Sequence, residues 1–383
     1  MTRLAMRDDL EISLGIEEEF FLVDPETRDL IPDPDPAIFG DCEENCGPHR
    51  VVREFLRSQI ETNTKVCASV AELREAVSET RRVVISAAEK RGAAVFASST
   101  HPFAAWVQQK TTPKNRYENF TARFQDVVRR LLVGGMHIHV GFGDPDTRIR
   151  VMTAIRRYLP VFHALSTSSP FSGGRETGFK SWRLAIVGSL PRTGIPNPLR
   201  SWAEYDGMVA NYRRMKFLGD GSELWWDIRP SHSFPTVEMR ICDICPRMED
   251  AVCIAALYAS LIRMLMRKEQ GGLLPTEPLT EIIAENRWIA QRYGVFAFFG
   301  DATQGGQADI DDFMNELIDE IGADADALGC EAEVRHALKI VREGAGADRQ
   351  LDLFRLRRME GDDITEALRR VVDLVISETR EGI

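Results

Sequence analysis

Residues 14–24, LGIEEEFFLVD, place three consecutive glutamates inside an otherwise apolar stretch that predicts a β-strand. Side chains on a strand alternate between its two faces, so Glu17 and Glu19 share one face and Glu18 lies on the other. Two ionised carboxylates on an inward face repel each other, and a bound cation is the usual compensation. The stretch therefore predicts a metal site, with a solvated acidic face on an edge strand as the alternative.

Polar pairs with the same spacing recur in three later segments that have strand character. These are His137 and His139 in MHIHVGF, Asp227 and Arg229 in WWDIRPS, and Glu238 and Arg240 in TVEMRICD. Each pair shares one strand face, so four strands could together line one polar cavity. The acids and a histidine suit hard divalent cations, and the arginines suit phosphate oxygens. A solvated sheet face, or a purely structural Glu238–Arg240 ion pair, remains an alternative.

One further acidic pair lies in REFLRSQIETNT, residues 53–64, which contains Glu54 and Glu61. Their separation fits one face of a helix or two contacts made across a turn. Either arrangement could bring a carboxylate to a shared metal site, and a solvated pair is the alternative.

The rest of the chain indicates an α+β fold with an antiparallel sheet in the first two-thirds and helices after it. Residues 32–48 and 166–203 are predicted loops, the first with the cysteine-bearing stretch GDCEENCGP and the second of a length typical of ligand-covering segments. We expect one domain over 1–383, with a sheet-rich part at about 10–245 and a helical part at about 246–383. The predicted helices are 69–91, 114–132, 147–159 and most of the chain from 248 onward, and a further strand is predicted over 93–100.

Composition narrows the class of protein. The formal net charge of −11 argues against a broad nucleic-acid or anionic-membrane surface. No apolar run is long enough to cross a bilayer, and the first residues lack the apolar core of a secretion signal. The seven cysteines form no paired zinc pattern, so reduced thiols are expected. These features predict a cytoplasmic enzyme.

Six ordered motifs resemble the bacterial carboxylate–amine ligases, a family also known as glutamate–cysteine ligases of type 2. The resemblance runs from about residue 12 to 300 and continues more weakly through the helical C-terminal part. The motifs are SLGIEEEFFLVDPET (13–27), SSTHPF (98–103), MHIHVGFGD (136–144), LPVFHALSTSSPF (159–171), WWDIRPS (225–231) and TVEMRICD (236–243).

The resemblance implies a fold like that of glutamine synthetase, in which a curved antiparallel sheet holds ATP and Mg²⁺ or Mn²⁺ on its concave face. It also implies ATP-dependent amide formation, typically from the γ-carboxylate of glutamate, through an acyl phosphate. Phosphoryl transfer needs cations more than a protein nucleophile, which agrees with the residue pattern. The substrates would be an amino-acid carboxylate and an amine, with weak glutamate–cysteine ligation as one expectation. We expect no nucleic-acid or membrane partner, and a homo-oligomer.

Site residues carried over from the family motifs fall into three groups. Arg240 is expected to contact the transferring phosphoryl group, and Arg229, oriented by Asp227, is a candidate for phosphate or substrate carboxylate. The expected metal ligands are Glu17, Glu19, Glu54, Glu61, His139 and Glu238. The residues expected to border the substrate or nucleotide are Thr100, His101, His137, Ser181, Arg183 and Asp227. The cysteine-bearing stretch at 40–48 is a further candidate for the amine pocket.

Two other functions fit the same residues. A metal-dependent hydrolase of amides or phosphoesters could use Glu17, Glu19, His139 and Glu238, but it has less need of Arg229 and Arg240. A non-catalytic nucleotide- or amino-acid-binding protein is disfavoured, because every metal-type residue of the matched motifs is present.

Overall fold

The structure, a computed structural model, describes residues 10–301 and 305–383. The described strands are β1 (Ser13–Val23), β2 (Arg50–Arg53), β3 (Gln59–Asn63), β4 (Ala94–Phe96), β5 (Met136–Gly141), β6 (Phe171–Ser172), β7 (Arg175–Glu176), β8 (Thr193–Gly194), β9 (Trp225–Trp226), β10 (Ile228–Pro230), β11 (Thr236–Met239), β12 (Phe298–Asp301) and β13 (Gly306–Asp309). The described α-helices are α1 (Ala37–Asn45), α2 (Val70–Glu89), α3 (Asn115–Phe124), α4 (Asp126–Arg129), α5 (Pro145–Ile155), α6 (Leu159–Ser166), α7 (Arg183–Val187), α8 (Trp202–Arg214), α9 (Met248–Gln270), α10 (Thr280–Tyr293), α11 (Ile310–Leu328), α12 (Glu331–Glu343), α13 (Gly346–Met359) and α14 (Ile364–Thr379).

Strand β1 lies inside a seven-stranded sheet. It pairs antiparallel with β3 on one side and β5 on the other, and its end also pairs with β4. The strand order is β10-β11-β5-β1-β3-β2. This arrangement confirms the predicted α+β class and excludes the edge-strand alternative for residues 14–24.

The two faces of β1 have different environments, as its alternating pattern predicts. Leu14, Ile16 and Phe20 are buried in the main hydrophobic core, on the side where α2 and α9 pack. Burial of these side chains supplies the main driving force that holds the helices against the sheet. Glu17 and Glu19 lie on the opposite face, which is only partly buried.

Glu18 lies on the core face, and its charge is compensated by Arg81 of α2. The Glu18 carboxylate accepts hydrogen bonds from Nε and Nη2 of Arg81, and both side chains are almost completely buried. Arg81 also donates to the carbonyl oxygens of Pro246 and Cys245, at 2.7 and 2.9 Å. The middle glutamate of the EEE run is therefore structural, and it joins β1, α2 and the segment before α9.

Several local predictions differ from the structure. Residues 37–45 form α1 instead of a loop, and Cys42 is buried in the core, so the stretch at 40–48 does not line the cavity described below. The predicted helix 114–132 is interrupted at Gln125, whose φ of 50° leaves the helical region between α3 and α4. The helical C-terminal part contains the β12–β13 hairpin. The single-domain organisation stays a prediction.

The cysteines agree with the reduced thiols expected from the composition. All seven cysteines are free thiols, and most are buried. Within residues 10–301 and 305–383, none of the helices combines the length and the apolar character that crossing a membrane requires.

Candidate active site

The register of the sheet brings the predicted acids and imidazoles onto one face. Glu17 lies opposite His137, and Glu19 lies opposite Glu61. Glu238 of β11 lies opposite His139 of β5. Directly opposed residues have Cβ atoms within roughly 5.5 Å, so these side chains necessarily meet.

A first cluster surrounds Glu17. His137 Nδ1 lies 3.0 Å from Glu17 Oε2, and His139 Nε2 lies 3.3 Å from Glu17 Oε1. Glu17, His137 and Glu238 each offer a ligand atom, and these atoms lie within 4.8 Å of one another. His139 Nδ1 faces the Thr236 hydroxyl at 2.9 Å, while the buried Nε2 faces the Glu17 carboxylate without forming a well-aligned hydrogen bond.

The charges of this cluster suit metal binding. Burial opposes ionisation of Glu17, yet the adjoining imidazoles of His137 and His139 hold its pKa well below the usual range. Burial likewise opposes ionisation of Glu238, and Arg240 and Arg229 nevertheless lower its pKa. Burial and the charge of Arg240 lower the pKa of His137 to about 4. At neutral pH the cluster therefore holds ionised carboxylates and a neutral His137, the protonation states that bind cations.

A second cluster contains Glu19, Glu54 and Glu61. Here the surroundings raise the carboxyl pKa values of Glu19 and Glu61 instead of lowering them. Burial and the neighbouring Glu54 raise the pKa of Glu19 to about 7. Burial, a hydrogen bond to Glu54 and the charges of nearby glutamates raise the pKa of Glu61 well above its usual range. Two carboxyl groups in hydrogen-bond contact must share a proton or a cation, because two ionised carboxylates would repel each other.

The residues present fit a divalent cation. A cation beside Glu61 would relieve the carboxyl repulsion that raises the pKa of Glu61, and the buried Nε2 of His139, which makes no hydrogen bond, could take a cation together with Glu17. Carboxylate oxygens dominate the donor set, which favours Mg²⁺ or Mn²⁺ over softer metals. His137, expected to contact substrate or nucleotide, lies within the metal-capable group, and His139 lies beside it.

The arginines differ in their roles. Arg229 donates from Nε and Nη2 to Glu238 and from Nη1 to the carbonyl oxygens of Ser222 and Leu224. These contacts show that Arg229 positions Glu238, and its expected contact with phosphate or substrate carboxylate stays a prediction. Arg240, which also contacts Glu238, lines the cavity.

Asp227 does not orient Arg229, contrary to expectation. Its carboxylate accepts hydrogen bonds from Arg287 of α10, at 2.5 Å from Nε and 3.2 Å from Nη2. The Asp227 carbonyl oxygen accepts from the backbone N–H of Arg240 at 2.8 Å and of Ile241 at 3.1 Å. The Arg287–Asp227 pair therefore fixes the backbone from which Arg240 extends.

A cavity of about 580 Å³ opens beside these clusters. Its polar lining includes six residues selected from the sequence: Glu19, Glu54, His137, Arg183, Asp227 and Arg240. Arg183 donates to the carbonyl oxygens of Ile241 and Arg240, at 3.3 and 3.1 Å, which holds its guanidinium in the wall. Six of the fourteen predicted site residues thus line a single space, and the cluster around Glu17 adjoins it through His137.

Eight predicted site residues do not line this cavity: five belong to the clusters described above or hold them, and three, Thr100, His101 and Ser181, do not. The Thr100 hydroxyl donates to the carbonyl oxygen of Phe171 at 2.7 Å, and the Ser181 hydroxyl donates to buried Asp243 at 2.9 Å. The His101 ring lies between Phe96 and Phe103, with centroids 5.3 and 4.7 Å away. Their polar atoms bond inside the protein, which does not support the expectation that they border the substrate, and that expectation stays a prediction.

His101 leads to a pH-dependent stability prediction. Its Nδ1 accepts from the backbone N–H of Ala104, so the proton lies on Nε2, which donates to the carbonyl oxygen of Arg28. Burial lowers its pKa to about 3, below the value of about 6.5 in unfolded chains. The unfolded state therefore binds more protons, and stability falls as the pH drops from about 6.5 to about 3. Between pH 7 and pH 5 this histidine should account for a loss of about 2 kcal/mol in unfolding free energy.

Urea denaturation of wild type and His101→Gln at pH 7 and pH 5 measures this contribution. The variant is expected to lose less stability on acidification than wild type does. An identical loss in both proteins would show that His101 does not titrate as its burial implies.

Sequence reasoning missed two features of the site. Gly134 and Gly135 precede β5, and a Cβ at either would come within 2.5 Å of the Glu19 carbonyl oxygen or the Arg183 guanidinium. The Gly135 N–H also donates to the Glu19 carboxylate at 2.7 Å. The GG dipeptide before MHIH was a visible signal of this close approach. Arg287 carried no such signal, because its partner Asp227 is distant in sequence.

Sequence comparison finds close relatives along nearly the whole chain. A family model described as glutamate–cysteine ligase family 2 matches residues 13–373. A protein of Rhodospirillum rubrum, provisionally named glutamate–cysteine ligase 2, is 45% identical over 374 residues, covering 96% of this chain and 95% of the relative. A protein of Jannaschia sp. with the same provisional name is 40% identical over 370 residues, covering 97% of each chain.

Two solved structures share the fold at low sequence identity. A glutamate–cysteine ligase from Francisella tularensis in complex with AMP superposes with a TM-score of 0.66 at 14% identity, covering 97% of this chain and 89% of that one. A bifunctional glutathione synthetase from Pasteurella multocida gives 0.70 at 15% identity, covering 98% of this chain and 53% of that one. These likenesses show that the fold is the expected glutamine synthetase-like one.

Proposed function

The chain belongs to glutamate–cysteine ligase family 2 and is an ATP-dependent carbon–nitrogen ligase, and from that premise we propose how its sheet face performs the reaction. The carboxylate substrate, of the γ-glutamyl type, attacks the γ-phosphorus of ATP, and the bond to the ADP oxygen breaks. The amine then attacks the acyl carbon, the bond to phosphate breaks, and the amine loses a proton as the amide forms.

The clusters of acids and imidazoles supply the metal positions in this proposal. Glu17, His137, His139 and Glu238 would hold one divalent cation, and Glu19, Glu54 and Glu61 would hold another. Bound there, Mg²⁺ or Mn²⁺ would neutralise triphosphate charge and charge that develops during phosphoryl transfer. Hydrogen bonds fix the carboxylates of the site: Arg229 donates to Glu238, the Gly135 N–H donates to Glu19, and Arg287 donates to Asp227.

One observation carries the proposal most directly. Carboxylates that repel one another lie beside Arg240 and Arg183 in a single cavity, so cation and phosphate ligands converge on one space. A simple metallohydrolase would need the acids but not two arginines placed in that wall. The ligase reaction uses both sets.

Trapping of the acyl phosphate tests the reaction. Incubation with ATP, Mg²⁺, glutamate and hydroxylamine should release ADP and form a hydroxamate, since hydroxylamine can replace the amine. A pool of amino acids and amines should then identify the natural acceptor through amine-dependent ADP release. Breakdown of an amide without ATP would instead favour the hydrolase.

Arg240→Lys is expected to lower turnover by about tenfold or more, equivalent to about 1.4 kcal/mol. Lysine keeps the positive charge but loses the planar pair of donors that matches phosphoryl oxygens. Steady-state ADP release measures the effect, with Arg82→Lys on the exposed face of α2 as the matched control. Wild-type turnover in Arg240→Lys would leave Arg240 with only its structural contact to Glu238.

Cytoplasmic location and assembly into a homo-oligomer stay predictions. Size-exclusion chromatography with light scattering would decide the second.

A further inference from the structure

One wall of the cavity is aromatic, and the chemistry described above does not use it. Phe55, Phe120, Phe124 and Trp225 line this wall. The Phe120 ring lies 6.0 Å from Phe55, 5.1 Å from Phe124 and 5.6 Å from Trp225. The wall is completed by aliphatic side chains such as Leu190. It is therefore continuous, and it offers far more apolar surface than a short polar ligand could cover.

The two arginines beside this wall already pair with a glutamate. Arg123 lies over the Phe124 ring at 5.2 Å, and Arg192 lies over the Trp225 ring at 5.0 Å. Both guanidinium groups form ion pairs with Glu223, at 2.9 and 3.5 Å. The aromatic end is thus a poor place for a triphosphate, whose charge is matched by the acids and arginines at the other end.

The site has an aromatic end and an end with acids and arginines, and the course of β1 fixes where each lies. Glu19 lines the cavity, and Glu17 lies two residues back along β1, roughly 7 Å farther from Phe21 at the rise of a strand. Beyond Glu17 the face continues to His139, beside which the exposed Phe234 ring lies at 6.2 Å. Because phosphoryl transfer needs attacking and leaving oxygens in line, the nucleotide and the acyl acceptor must approach from opposite sides.

Water exclusion decides which substrate faces the aromatic wall. An acyl phosphate is hydrolysed wherever water reaches it, so its amine must arrive through the side that is poorest in water. The apolar wall offers water few hydrogen-bond partners, whereas the Phe234 ring at the other end is 52% exposed.

We propose that the aromatic wall binds the amine substrate, and that this amine carries a bulky apolar group of about the size of an aryl ring. The proposal rests on the ligase function above. In the step concerned, the amine nitrogen forms a bond to the acyl carbon, the carbon–oxygen bond to phosphate breaks with its electron pair on phosphate, and nitrogen loses one proton. A thiol-bearing amine as small as cysteine would leave most of the wall uncovered.

Calorimetric binding of simple amines to the full chain tests the wall without any need for turnover. 2-Phenylethylamine should bind at least about tenfold more tightly than ethylamine, because the two differ by a buried aryl group. Phe120→Ala should remove most of that difference, with Phe120→Leu as a second variant if the first fails to fold. Phe296→Ala, which removes an aromatic ring that is 65% exposed and lies outside the cavity, is the matched control and should not change binding.

Two results would overturn the proposal. Equal affinity for the two amines would mean that the wall does not select an apolar group. Weaker binding of MgATP, without weaker binding of 2-phenylethylamine, in Phe120→Ala would assign the wall to the nucleotide base. Preferential amine binding combined with no ADP release for any carboxylate would instead refute the ligase function and leave the apolar wall supported.

Discussion

Turnover should fall by roughly a hundredfold or more when Glu19 is replaced by glutamine, while the fold remains intact. Glutamine keeps the size of glutamate and an oxygen that can accept the Gly135 N–H, a hydrogen bond of 2.7 Å in the wild type. It removes a negative charge from a group whose pKa is raised to about 7 by burial and by Glu54. Without a cation, the variant should therefore be at least as stable as wild type, and only its metal-dependent properties should suffer.

ADP release and thermal unfolding, each measured with and without MgCl₂, separate these effects. Wild type should gain stability from Mg²⁺ through preferential binding to the folded state, and Glu19→Gln should gain less. Glu44→Gln on the exposed face of α1 is the matched control and should behave as wild type does. Undiminished turnover in Glu19→Gln would falsify the metal assignment of this carboxylate.

Arg81→Met is expected to lower the unfolding free energy by about 3–5 kcal/mol, because it leaves the Glu18 carboxylate buried without its partner. The loss arises from desolvated charge and not from lost packing, since methionine fills part of the space beside Phe20, over which the guanidinium lies at 5.6 Å. The carbonyl oxygens of Pro246 and Cys245 also lose their donor.

A double variant distinguishes charge from shape. Glu18→Leu combined with Arg81→Met removes both charges, and it should recover most of the stability lost in the single variant. Urea denaturation measures both, with Arg82→Met on the exposed side of the same helix as the control. A double variant as unstable as Arg81→Met would show that the lost carbonyl contacts dominate.

The site could be predicted where its geometry is local. Alternation along a strand places Glu17 with Glu19 and His137 with His139, whatever the rest of the chain does. The helix predicted over 69–91 forms over residues 70–89, and it too depends on a local contact, because the Ser69 side chain at its start accepts from the Glu72 N–H. The prediction of one long helix over 114–132 was wrong in one respect. The apolar period continues through Gln125, but the backbone leaves the helical region there.

Contacts between distant segments could not be predicted in this way. SSTHPF gives no sign that Thr100 and His101 bond inward, because their partners Phe171 and Arg28 lie far away in the chain. The same holds for Asp227, which has Arg229 two residues away and yet pairs with Arg287 from α10. Proximity in sequence favoured the wrong arginine.

The sequence by itself determined which side chains share a strand face, because the two-residue period of a β-strand is a property of the local backbone. It also determined the chemistry available there, namely carboxylates, imidazoles and guanidinium groups on an antiparallel sheet. Only the tertiary structure decided that Glu18 is neutralised by Arg81, that Arg229 holds Glu238, and that an aromatic wall faces the acids. Those outcomes depend on how helices and loops pack across the sheet. Packing brings together residues that are far apart along the chain, and no local sequence pattern indicates such contacts.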